Sequence, residues 1–298
     1  MAVLIDPPSW PAHGTTFSHL VSTSSRAELH AFAAAAGISR RAFDEDHYDV
    51  PARRYQDLVD RGALAVSGSE LVRALIASGL RVPARRRRPK LRAALTTRWA
   101  SLLPDAPELG AELLGRWDEP HREYHTMTHL LAVLEAADVL LGPSDAPLRR
   151  SVLLAAWFHD AVYAGVAGED EQASADLAGS RLRRYLGADE VTEVQRLVLV
   201  TVDHAPEPGD RAGELLSDAD LAVLGGAPEE YARYAAAVRA EYAQVPEEAF
   251  RRGRSAVLQG LAGLDPLYRT AEGRARWAEP ARRNLLHELE LLEGIGRE

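Results

Sequence analysis

From about residue 91 to the end of the chain, apolar residues recur at three- and four-residue spacing. They do so in LRAALTTRWASLL, HLLAVLEAADVLL, RSVLLAAWFHDAVY, SADLAGSRLRRYL and VTEVQRLVLVTVDH, then in PEEYARYAAAVRAEYAQV, EEAFRRGRSAVLQGLAG and ARWAEPARRNLLHELELLEGI. This spacing gives a helix one apolar stripe and gives a strand nothing to bury. No β-rich run interrupts the pattern, so these helices can cover their stripes only against one another. The expectation is an all-α bundle of about seven helices over residues 93–298, with turns at GPSDAP and EPGD.

Residues 1–80 follow another pattern. VLID and FSHLVS are β-like, RAELHAFAAAAG predicts a helix ending at Gly37, and ARRYQDLVDRGA predicts one closed by Gly62. ALAVS reads as a short strand and SELVRALIASG as a third helix, which makes a small α/β domain. Next comes RVPARRRRPK, with two prolines, consecutive arginines and no apolar period; it predicts a solvated linker over 81–92. The whole chain is therefore expected to be α+β in two domains, and 298 residues with 46% hydrophobic content can fill both cores.

The chain has no cysteine, which excludes disulfides, thiolate metal sites and a cysteine nucleophile. Any bound metal must use imidazole and carboxylate. Five of the ten histidines fall between residues 121 and 204. His125 and His129 are four residues apart and are expected on one helix face. His159 and Asp160 end a strongly apolar helix, and Asp218 and Asp220 repeat the arrangement in LLSDADLAVLG. Burying such groups without partners costs several kcal/mol each, and a shared divalent cation would remove that cost for all of them. A net charge of −9 argues against a general nucleic-acid binder. The first residues lack a basic segment followed by an apolar one, and no run of about 18 apolar residues follows, so a soluble cytoplasmic protein without membrane contact is expected.

The ordered set of His129, the doublet His159-Asp160, and Asp220 resembles the H…HD…D pattern of HD-superfamily metal phosphohydrolases. The strings YHTMTHL, WFHDAVY and DADLAVLG resemble one little-characterised branch of that superfamily in particular. The resemblance runs from about residue 95 to the C-terminus. It implies that His129, His159, Asp160 and Asp220 ligate a divalent ion. The family's first histidine precedes an apolar helical run, as in HLLAV, and its last aspartate precedes the apolar continuation, as in ADLAV. His125 and Asp218 would then orient ligands or contact phosphate. It further implies a catalytic contact from Asp160 to the attacking water, with His125 and His204 as additional catalytic groups. His204 lies where two-metal members place extra histidines, and Glu171 where many members carry a polar residue. Arg122, Arg254, Glu171 and Asp218 are the candidate substrate-binding residues, arginine being suited to phosphate by its planar fork. Tyr124, Tyr163 and Tyr242 could line a pocket.

The implied activity is hydrolysis of a phosphate ester, a nucleotide or small phosphomonoester, by metal-activated water. The ion is left open among Mn²⁺, Mg²⁺, Co²⁺, Fe²⁺ and Ni²⁺, as is its number, one or two. Two other readings keep the same residues: a catalytically inactive module that senses a nucleotide, and a di-iron oxygenase of the same fold. A small-molecule phosphate is the expected partner, and self-association through ARRNLLHELELLEGI stays open.

In the N-terminal region, VLID, SHLVS, ELHAFA and HYDVP resemble a small domain family of unknown function that also occurs alone. Asp6, His19, His30, His47 and Asp49 are candidates for a second polar or metal site there.

Overall fold

The computed structural model describes residues 2–12, 14–81, 88–166 and 168–294. The chain divides into two compact units, Met1–Arg87 and Arg88–Glu298.

The N-terminal unit is built on a sheet of six short strands: β1 (Val3–Ile5), β2 (Trp10–Ala12), β3 (Thr15–Ser22), β4 (Phe43–Asp44), β5 (His47–Pro51) and β6 (Leu64–Ala65). Their order is β4-β5-β3-β1-β6, with β2 pairing β3. Every pairing is antiparallel except β1 with β6, so the expected α/β unit is instead a mixed, mainly antiparallel sheet. Three helices cover it: α1 (Arg26–Ala35), α2 (Tyr55–Asp60) and α3 (Gly68–Ala77). Ser25 caps α1, a Ser67–Glu70 capping box starts α3, and Gly37 and Gly62 take positive φ just beyond α1 and α2.

Because side chains alternate along a strand, the sheet has two apolar faces. Ile5, Leu20, Tyr48 and Val50 pack with Leu29 and Ala33 of α1 and Leu58 of α2. Leu4 and Val21 pack with Leu71 and Leu75 of α3. His19 and Asp49 are register partners across β3 and β5. With His47, they share the parity of Val21 and lie on the α3 side. HYDVP, which carries two of these residues, is a strand that local pattern did not reveal.

The second unit is helical. It contains α4 (Arg88–Leu102), α5 (Pro107–Arg116), α6 (Met127–Leu140), α7 (Arg149–Phe158), α8 (Glu169–Leu182), α9 (Ala188–Val200), α10 (Arg211–Asp220), α11 (Pro228–Glu241), α12 (Glu247–Ala262), the single turn α13 (Ala271–Gly273) and α14 (Glu279–Gly294). The expected linker needs correction: α4 begins at Arg88, so 88–92 are helical, while 82–87 lie outside the described residues. Helices α5 and α10 were not anticipated, and α9 stops at Val200 rather than running on to His204.

In α7, every residue from Val152 to Phe158 is buried, which makes it the central rod of the bundle. Its own Trp157 is fully buried, as are Trp99 and Trp117, and the Trp117 indole donates to the carbonyl of Trp157 at 3.0 Å. A second cluster, with Leu224, Leu258, Tyr268 and Leu285, fills the space among the later helices. Among the described residues, no helix is long and apolar enough to cross a membrane.

Candidate metal centre

Three chain segments deliver the central cluster. Thr126 caps α6, which places His129 in its first turn. The end of α7 presents His159 and Asp160, and the end of α10 presents Asp220. His159 Nδ1 donates to the Ala156 carbonyl at 2.9 Å, which directs its Nε2 into the cluster. His129 Nε2 lies 3.2 Å from His159 Nε2, 3.1 Å from Asp220 Oδ1 and 3.6 Å from Asp160 Oδ2. His159 Nε2 lies 3.1 Å from Asp160 Oδ2 and 3.5 Å from Asp220 Oδ1.

The three separations among His129, His159 and Asp220 match what one cation requires. Ligand atoms at about 2.1 Å from a metal stand about 3.4 Å apart in a tetrahedron and about 3.0 Å apart at right angles in an octahedron. The group of His129, His159 and Asp220 is thus able to hold a metal ion, and Asp160 adds a carboxylate oxygen beside both histidines. The histidine side chains form a floor, 4% and 1% exposed, while Asp160, Asp220, His204 and His125 form a rim 14–21% exposed. Such a half-open arrangement leaves room for water or a ligand, as structural metal sites do not.

Electrostatics bind the cluster together. Burial opposes charge on His159, but the Asp160 and Asp220 carboxylates outweigh it and raise its pKa well above the ordinary value. Burial dominates at His129 and lowers its pKa. Burial also disfavours charge on Asp160 and Asp220, yet the histidines hold both below the usual carboxylate range.

The other expected residues divide sharply. His125 does not share the α6 face with His129, because it precedes the Thr126 cap. It still reaches the rim, with Nε2 3.9 Å from Asp160 Oδ2. Glu241, at the end of α11, holds it there by accepting from His125 Nδ1 at 2.5 Å and from the backbone N–H groups of Glu123, Tyr124 and His125. Sequence reading missed Glu241, which gave no local signal: it is one acid among many and lies 116 residues from its partner. Despite burial, its bonds with His125 lower its pKa to about 2. Burial in turn opposes a proton on His125, and Asp160 and Glu241 reverse that and raise its pKa. His204 takes φ +54° and arrives with Nε2 3.8 Å from Asp220 Oδ2. A non-glycine residue in this strained region fits a functional site.

Four candidate substrate contacts are committed to structure instead. The Arg122 guanidinium is fully enclosed and donates to the carbonyls of His125, Asp160 and Ala161 and to Glu119, so it braces the site rather than opening onto a phosphate. Arg254 makes a two-bond pair with Glu288 and a third bond to Tyr234. Asp218 is fully buried and accepts from the backbone of Arg269 and from the backbone and hydroxyl of Thr270. Glu171 caps α8 through the Gly168 N–H. Tyr124 packs on His129 with ring centres 4.7 Å apart. Tyr163 stacks on His125 at 4.2 Å and, with Glu241 and Tyr242, lines an adjoining groove.

In the N-terminal unit, His19, His47 and Asp49 form another group able to hold a metal ion, with Asp6 bonded to His19 at 3.0 Å. His30 is not part of it: α1 lies on the opposite sheet face, and His30 Nδ1 bonds the Tyr48 hydroxyl at 2.8 Å.

Comparison with known proteins adds one family. Residues 3–78 match the family model described as a protein of unknown function (DUF4031). No curated protein and no solved structure matches the chain.

Proposed function

We propose that the helical unit is a divalent-metal-dependent phosphohydrolase, its ion held by His129, His159, Asp160 and Asp220. The observation that carries this reading is the convergence of His129, His159 and Asp220 at 3.1–3.5 Å, with an Asp160 oxygen beside both histidines, beneath a partly open rim. The H…HD…D order of the same residues, which resembles HD-superfamily phosphohydrolases, supports it. The family match, confined to residues 3–78, does not bear on this unit.

A divalent ion bound here would act as a Lewis acid toward a phosphoryl oxygen and lower the pKa of a coordinated water. Asp160, at the rim with His125 Nε2 3.9 Å from its Oδ2, would accept a hydrogen bond from the attacking water and orient it. His125 carries the proton that balances charge on the phosphoryl group or leaving oxygen, and Glu241 fixes the ring and favours its protonated form. Tyr124 and Tyr163 wall the site with apolar ring faces. Since Arg122 and Arg254 are committed elsewhere, a phosphate ester depends on the cation and His125 for its charge. The substrate class is a nucleotide or small phosphomonoester.

His204 favours a second reading, a two-metal centre. Its Nε2 lies 3.8 Å from Asp220 Oδ2, the oxygen other than the one nearest His129, so an additional imidazole borders that carboxylate. Two irons per chain with oxygen-dependent turnover would select an oxygenase over a hydrolase.

The test is to purify the chain without chelator or added metal and count bound metals. Phosphate release from a panel of nucleotides and phosphomonoesters is then assayed with Mn²⁺, Mg²⁺, Co²⁺ and Fe²⁺. Metal-dependent release that disappears in a folded Asp160→Ala variant is the expected result. Full activity in that variant would overturn the assignment.

A further inference from the structure

We infer that the N-terminal unit carries its own divalent transition-metal site, formed by His19, His47 and Asp49. One ligand atom from each of the three lies within 4.8 Å of the others. The sheet register produces this convergence. His19 and Asp49 are directly opposed across β3 and β5, and His47 lies two residues before Asp49, on the same face. The imidazole rings meet edge to face at 5.0 Å, and His47 Nε2 lies 3.4 Å from Asp49 Oδ1.

The second observation concerns the other nitrogen of each ring. His19 Nδ1 lies 3.0 Å from Asp6 Oδ2, and Asp6 Oδ1 also accepts the His19 backbone N–H at 2.5 Å. His47 Nδ1 lies 2.6 Å from Asp46 Oδ1. Asp6 and Asp46 are both buried. An ionised carboxylate can only accept, so each Nδ1 is the nitrogen that donates and Nε2 is the nitrogen of each ring left to face a metal. Metal-ligating histidines are held in this way, with a carboxylate fixing the tautomer and orienting the ring. A structural histidine–aspartate pair needs one such contact. Here two separate buried carboxylates orient two rings toward the same third carboxylate.

The side chains of His19 and Asp49 are 32% and 43% exposed, so the site opens to solvent and leaves positions for water or a small ligand. Two imidazoles and one carboxylate favour Zn²⁺, Fe²⁺, Co²⁺ or Ni²⁺ over Mg²⁺ and Ca²⁺, which prefer all-oxygen surroundings. None of this depends on the helical unit.

The test is equilibrium dialysis of the full chain, stripped of metal, against Zn²⁺. The variant Asp49→Asn changes a solvent-facing side chain. Circular dichroism and the unfolding midpoint of the metal-free protein verify that it folds. It should lose one equivalent of Zn²⁺ relative to wild type, while Asp60→Asn, on the surface of the same unit, keeps it. Asp6→Asn touches no ion and should weaken that equivalent by about 10- to 100-fold. Binding in Asp49→Asn and Asp6→Asn equal to wild type would overturn the proposal, as would a wild-type chain that binds no Zn²⁺. Loss of a different equivalent in Asp220→Asn reports on the helical unit alone and leaves this comparison intact.

Discussion

The Arg122 guanidinium lies between the rings of Trp117 and Tyr163 and holds the carbonyls of His125, Asp160 and Ala161 together. These carbonyls belong to the segments that present the rim. Arg122→Ala would leave these buried and half-buried carbonyls without their donor, and should destabilise the metal-free protein by about 2–3 kcal/mol in urea unfolding. Arg122→Lys should not restore stability, because an ammonium cannot reproduce the planar fork. Glu241 makes a different prediction. Its folded-state pKa of about 2 lies below its ordinary 4.5, so the stability it contributes is full above about pH 4.5 and is lost as pH falls toward 2. The stability gap between wild type and Glu241→Gln, on the order of 3 kcal/mol near neutral pH, should close over that window in acid titrations followed by circular dichroism.

At the scale of elements, the position of α5 depends on a close approach that only glycine permits. A Cβ at Gly110 would collide with the indole of Trp99, a fully buried ring on α4 that also donates to the Ala106 carbonyl at 2.7 Å. Gly110→Ala should therefore cost about 1–3 kcal/mol. Gly115, on the same helix, has open space around its Cβ position, and Gly115→Ala should be neutral or stabilise by up to about 1 kcal/mol. Thermal unfolding of the two variants checks both, and equal effects would refute the packing argument. The same two glycines explain why α5 escaped sequence reading, since they lower local helix propensity. α10 escaped because its buried and half-buried polar residues hide its apolar stripe, Leu215 and Leu216 being its only large apolar residues. In the sheet, β5 was missed because HYDVP is short, with only Tyr48 and Val50 to show an alternation, and its strand character is fixed by pairing with β3 and β4.

At the scale of the molecule, metal binding should appear as stability. An ion that binds only the folded state adds about 2.7 kcal/mol when its free concentration is 100-fold above the dissociation constant. Chelation should therefore lower the unfolding midpoint of the wild type. Asp220→Asn should lose most of the gain on adding Mn²⁺, because it removes a charged oxygen that lies beside both floor histidines. An unchanged metal response in that variant, measured by calorimetry, would sink the ligand assignment.

What the sequence determined by itself is what local pattern can encode. Apolar spacing specified helices for most of the second unit, the absence of cysteine restricted any metal to imidazole and carboxylate, and the ordered H…HD…D resemblance made His129, His159, Asp160 and Asp220 candidates for convergence. Tertiary structure alone decided how neighbours with identical chemistry divide their roles. Asp218 and Asp220 are two residues apart, yet one satisfies the turn at Arg269 and Thr270 while the other faces the histidines. Arg122 and Arg254 satisfy buried partners instead of facing ligand, and Glu241 reaches His125 from another helix. Burial and hydrogen-bond satisfaction are properties of long-range contacts, and periodicity, which reports only the face a residue occupies on its own element, does not contain them.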